Sequence, residues 1–259
     1  MKRFLISIVL TSLMVSASAF AGPSAKFAAT YTTEPALASV AVVSGSSDAS
    51  DFDINAGFTL ATIKVPQDKE LLVGVSSEVG LVTDTSIKGK NGGAAKSIAG
   101  AGAGVVVFAV PTESAMMGGK IAAPGPVVLS ARVQALSAKL GGVIESCTDG
   151  SDGSDPDGTI NIKTECIVTD EEIGLMQATM AAHHFNFVLP NMDQGEYDIV
   201  AFFVTGAYAE IDIDEASVAA GGSVSAAAFA AAFVGKTMVT VQQVRATKGG
   251  VIDSEITEL

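Results

Sequence analysis

Leu189-Pro190-Asn191-Met192-Asp193-Gln194-Gly195-Glu196-Tyr197 is the stretch on which the fold turns. Phe185 to Leu189 before it and Tyr197 to Val204 after it are rich in aromatic and β-branched residues, so each predicts a strand. The Asp-x-Gly between them is turn chemistry, and at its plainest the stretch is a strand, a turn and a strand. Outward from it the same pattern recurs at Phe58 to Val65, Glu70 to Ile87, Val105 to Val110, Val127 to Val133 and Met238 to Val244. The chain is expected to be all-β.

The pattern L-x-x-x-D-x-G-x-Y resembles the corner that leads into strand F of immunoglobulin-like β-sandwiches. The resemblance implies that Asp193 and Gly195 shape the turn, and that Tyr197 turns its ring inward while its hydroxyl bonds backbone upstream, where the chain changes sheets. The position two after the tyrosine is Ile199 rather than cysteine, and the chain has no tryptophan. Antibody and receptor types are thereby disfavoured, and an immunoglobulin-like β-sandwich of the wider bacterial exported kind is expected. Such a fold carries no function by itself.

Two long arms flank turn clusters. Glu70 to Lys88 and Ala94 to Pro111 surround Gly89-Lys90-Asn91-Gly92-Gly93; Glu196 to Glu215 and Ser223 to Arg245 surround Ala219-Ala220-Gly221-Gly222. Both read as elongated hairpins, with bends expected at Gly80 and Gly206 or arms that switch sheets. Ala99 to Gly104 and Ser225 to Ala232 consist almost wholly of small residues, which let two layers approach closely. One short helix is expected from the capping-box pattern Thr169-Asp170-Glu171-Glu172 and the spacing of Ile173, Met176 and Met180, ending near Ala182.

Lys2 and Arg3, the apolar run Phe4 to Val15 and the small residues at Ala17, Ala19 and Ala21 read as a signal peptide over residues 1 to 21. The apolar run is too short for the ~20 residues a span needs. Residues 22 to 56 read as a flexible leader with one alternating run at Leu37 to Val43, residues 57 to 248 as the sandwich domain and residues 249 to 259 as a tail. The net charge of −13 disfavours nucleic acid and anionic membranes as partners.

Cys147 and Cys166, the two cysteines, are expected to form a disulfide in an exported chain. They enclose an acidic loop, 147 to 166. Asp155-Pro156-Asp157-Gly158-Thr159-Ile160 resembles half of an EF-hand-like or thrombospondin-type-3-like calcium loop, and Asp152, Asp155 and Asp157 are the candidate Ca²⁺ ligands. The match is partial: Gly153 and Thr164 stand where carboxylates would be needed. Glu210, Asp212 and Asp214 read as a solvated strand face, and His183 and His184 as structural residues at a helix end. Thr83, Thr85 and Ser86 are polar strand positions with no base partner, and the chain carries no nucleophile elbow, zinc-protease helix or phosphate loop. The expected function is non-enzymatic: an exported structural, adhesive or matrix module that is calcium-stabilised and engages other envelope or extracellular proteins or copies of itself. A soluble periplasmic or extracellular binding protein for glycans or another small ligand is the alternative.

Overall fold

The computed structural model describes residues 27–33, 36–44, 48–54, 58–112, 119–153 and 155–244. The segment read as a signal peptide and the C-terminal tail lie outside these. Among the described residues thirteen strands follow one another: β1 Phe27–Thr32, β2 Ala36–Val43, β3 Asp48–Ile54, β4 Phe58–Val65, β5 Lys69–Lys90, β6 Gly93–Pro111, β7 Lys120–Ile121, β8 Val127–Leu140, β9 Val143–Cys147, β10 Cys166–Thr169, β11 Glu171–Met192, β12 Gly195–Ile213 and β13 Ser223–Val244. Two short helices, α1 Ile162–Glu165 and α2 Glu215–Ala219, interrupt them. No helix among the described residues is long and apolar enough to cross a membrane.

The strands form two antiparallel layers. The first sheet runs β11-β5-β13, with β1 and β2 lying end to end along the far side of β13. The second places β6 beside β12; β7 and β8 lie end to end along β6, and β3 and β4 along β12. β9 and β10 make a separate two-stranded ribbon. Strands of 19 to 22 residues, at ~3.3 Å each, give layers about 60–70 Å long.

The long arms are present, yet their hydrogen bonds run elsewhere than a hairpin would send them. β5 pairs with β11 and β13, whereas β6 pairs with β12 and β8. The Asn91-Gly92 turn, both residues left-handed at φ 53° and 84°, carries the chain from one sheet to the other. β12 and β13 are divided between the sheets in the same way. Burial explains the choice: alternate residues of β5 and β6 are buried along nearly their whole lengths, and placing the arms in opposite layers turns those two faces towards one core.

That core is tapered. Near the β11–β12 turn it contains Phe187, Phe203, Ile63, Leu71, Leu189 and Ile199, all almost fully buried. Further along, Ala99, Ala101, Ala103, Ala207, Ala230 and Ala232 replace them. The layers come close enough there for Ser97 on β6 to donate to the carbonyl of Ala227 on β13 at 2.7 Å. Ser223 to Val234, read as strand despite its alanine content, lies in β13.

At the turn between β11 and β12, where the chain passes from the first sheet to the second, Tyr197 donates from its hydroxyl to the Asp193 carbonyl at 3.3 Å. A Cβ at Gly195 would lie 3.2 Å from the Tyr197 ring, so the glycine lets the ring close over the turn. Burial, then the Asp193 charge, raises the phenol above its ordinary pKa.

Three expectations need correction. Residues 171 to 182 form the first half of strand β11, paired along β5, and not a helix. Met176 and Met180 are four apart, a spacing that satisfies both a helix and a two-residue period, and an isolated short helix has little to stabilise it. The described part of the leader supplies β1, β2 and β3; Leu37 to Val43 is paired with β13 of its own chain. Gly80 and Gly206 carry no bulge. A Cβ at Gly80 would overlap the Phe233 ring, and one at Gly206 would lie 2.9 Å from Phe52, so both glycines make room for an aromatic on the neighbouring strand. The irregularity in β13 falls between Val234 and Thr237 and shifts the buried set from even to odd positions.

Candidate functional site

Two features of the described residues stand apart from the sandwich core: the disulfide-closed loop and an apolar trough. In the ribbon, Cys147 faces Cys166 and the two are joined by a disulfide. Within the loop the acids serve the backbone. Asp149 accepts from the N–H groups of Asp157 (3.2 Å) and Gly158 (2.6 Å), and Asp157 accepts from Thr159 (2.7 Å). Glu165, only 6% exposed, accepts from Gly150 (2.6 Å) and Asn161 (2.5 Å), tying both ends of the loop to α1.

Among the described residues no group of three or more His, Cys, Asp or Glu side chains is placed to hold a metal ion, so Asp152, Asp155 and Asp157 are not brought together as a ligand set. Glu165 emerges instead as the organising acid, visible in sequence only as one more carboxylate. Glu165→Ala is expected to weaken the loop locally by about 1–3 kcal/mol, because two partly buried N–H groups lose their acceptor. Faster proteolysis between Cys147 and Cys166, with the melting temperature of the sandwich unchanged, is the expected readout.

The trough lies on the outer face of the second sheet. Gly100, Gly102 and Gly104 of β6 form its floor with Gly206 of β12, since alternate residues of β6 face outward and these have no side chain. Val128, Ala131 and Val133 of β8 rise on one side, Phe52, Val204 and Tyr208 on the other. The trough is open to solvent, with a volume of about 550 Å³ and an overwhelmingly apolar lining. Tyr208 is its polar rim, with its hydroxyl donating to Glu210. That hydrogen bond first, then burial and the charges of Glu210 and Asp48, raises the phenol above its usual pKa of 10.0.

A raised phenol contributes stability below the unfolded pKa and loses it as pH rises through the folded one. In an alkaline absorbance titration the native chain is therefore expected to form phenolate from Tyr197 and Tyr208 later than the unfolded chain. Glu210→Gln should return Tyr208 towards the ordinary range, and an unchanged titration in that variant would show that the carboxylate does not hold the phenol.

The remaining sequence candidates separate. Glu210 faces outward beside Tyr208, Asp212 stands opposite Lys96 in the ladder, and Asp214 caps α2 by accepting from Ala216 and Ser217. Thr83 and Thr85 are fully buried and bonded to Gln134 of β8, which also donates to the Leu175 carbonyl. Gln134 gave no signal in sequence, because nothing local marks one polar residue of a strand as the inward one. His183 and His184 lie within β11 and not at a helix end, on opposite faces of the strand; His184 bonds Ser76 at 2.8 Å and Asn186 at 3.2 Å.

The arrangement defines a class, an all-β two-layer sandwich with a disulfide. No family model and no curated protein matches the chain. Among solved structures, that of infectious bursal disease virus Gt strain is similar at 12% identity, with 92% of this chain and 44% of that chain covered and a TM-score of 0.22. The Gx strain structure is similar at 8% identity over 85% and 40%, with a TM-score of 0.21. The chain thus spans less than half the length of either, and likenesses this slight carry neither fold nor function.

Proposed function

We propose that this chain is an exported, non-enzymatic, immunoglobulin-like β-sandwich module with a structural or adhesive role in the cell envelope or extracellular matrix. The observation that carries the reading is the pair of layers about 60–70 Å long, crossed repeatedly by one chain, a form suited to bearing load and spanning distance. The disulfide is compatible with an oxidising compartment. The Tyr197 to Asp193 bond at the sheet crossing supports the immunoglobulin-like reading. Partners are then other envelope proteins or further copies of the chain.

Fractionating producing cells and sequencing the mature N-terminus tests this. Cleavage after residue 19 or 21 and recovery from the surface or the medium are expected; an uncleaved chain in the cytosol would overturn the proposal.

The trough favours a second reading, a soluble module that binds an apolar ligand. Its lining is overwhelmingly apolar and offers few of the hydrogen bonds a glycan needs. Binding of a fatty acid to the wild type, lost in Gly102→Leu, is expected on that reading, and no saturable binding would remove it.

A further inference from the structure

The strand edges of the two sheets are not protected alike. Where β2 and β3 flank the sandwich, the edge N–H groups of Leu37 and Ser39 donate to the carboxylates of Asp53 and Asp51, each at 2.9 Å. A side chain therefore occupies each site that an incoming strand would use. β8 is guarded by an inward-pointing cation, Arg132, a common device against edge pairing. β11 has neither device along its first half, and among the described residues backbone meets its edge only at Val188, through an antiparallel bridge to Ala123. It is the terminal strand of its sheet, and from Ile173 to Met192 it carries no Asp, Glu, Lys or Arg. Residues 172 to 182 are exposed throughout, including Met176 at 66% and Met180 at 68%.

We infer that the free edge of β11 pairs antiparallel with β11 of a second copy, joining the two first sheets into one continuous sheet with Ala178 on the two-fold axis. A strand edge presents a row of unpaired N–H and C=O groups, so what covers it is another strand. Phe187 and Leu189 point into the core, so even-numbered residues of β11 point outward. A two-fold pairing that keeps each sheet's outer face outward must place residues of equal parity opposite one another.

Charge selects both the direction and the copy. Asp170, Glu171 and Glu172 sit at one end of the edge, and His183, His184 and Asn186 at the other. Parallel pairing would set the acids against each other. Antiparallel pairing about Ala178 places Glu172 opposite His184, Met176 opposite Met180 and Leu175 opposite Ala181, with no like charges opposed. Behind this strand Arg132 Nη2 donates to Thr179 Oγ1 at 2.8 Å.

The inference rests on the structural-module reading and deepens it. Sedimentation of the mature chain is expected to give twice the chain mass. Ala178→Lys should give the single mass with unchanged circular dichroism, while Ala135→Lys on β8 should leave the dimer. Because the two native cysteines are disulfide-bonded and no other exists, single cysteines report the register. Under mild oxidation Ala178→Cys should cross-link to itself. Ala182→Cys should not, since its copies would be about 26 Å apart at ~3.3 Å per residue. A monomer at every concentration, a dimer that survives Ala178→Lys, or equal cross-linking at both positions would overturn the pairing. A monomer found on the cell surface would sink this inference and leave the proposed function standing; a dimer confined to the cytosol would do the reverse.

Discussion

Replacing Phe203 by alanine is expected to destabilise the sandwich by about 3–5 kcal/mol, the range for removing a buried aromatic. Phe203 is 2% exposed and lies on the inward face of β12, in the thick end of the core that also holds Phe187 of the other sheet. Large buried side chains fill the space between the layers here, so removing the ring leaves a cavity that its neighbours fill only in part. The measurement is denaturant unfolding, with the midpoint falling and the slope unchanged. Tyr31→Ala, at a position 79% exposed, should change stability by no more than about 0.5 kcal/mol. Similar losses for the two variants would mean that the large residues near the β11–β12 turn do not form a common core.

The opposite change is expected to fail at the other end. Ala230→Leu should cost about 1–3 kcal/mol, because added volume in a closely packed core forces side chains off their rotamers or the layers apart. Ala230 is fully buried in β13 within the core cluster that contains Ala99, Ala101, Ala103 and Ala207, and the Ser97 to Ala227 hydrogen bond fixes how near the sheets lie. Ala231→Leu, one residue on and facing outward, should be far milder. Equal effects at 230 and 231 would show that the alanine faces are not what sets the layer spacing.

Much of the architecture was legible because it is written locally. A two-residue period marks strands wherever one face is buried, and the Asn91-Gly92 and Asp193-Gln194-Gly195 turns carry their own backbone preferences. The small residues of β6 and β13 announced close layers, which the alanines of the core display. Misreadings arose where local signals were ambiguous or silent. Met176 and Met180 fit two periods, and β11 became a strand because β5 offered it a ladder of partners from Gly89 to Lys69. Asp53 and Asp51 fall in the stretch read as a flexible leader, and only the pairing of β2 and β3 with their neighbours sets them against the N–H groups of Leu37 and Ser39.

The acidic loop shows the same division. Its acids are plain in the sequence, but spacing cannot say which way a carboxylate turns, and Asp149 and Glu165 turn inward to the loop's own N–H groups. By itself the sequence determined that this chain is layered β-structure with a cross-linked acidic loop, since period, turn chemistry and cysteine count are properties of neighbouring residues. Only the tertiary structure decided that successive long strands lie in opposite sheets, that Gln134 is the inward polar residue of β8, and that β11 keeps an unguarded edge. Those outcomes depend on which distant faces bury one another, and that competition is settled by the whole core at once.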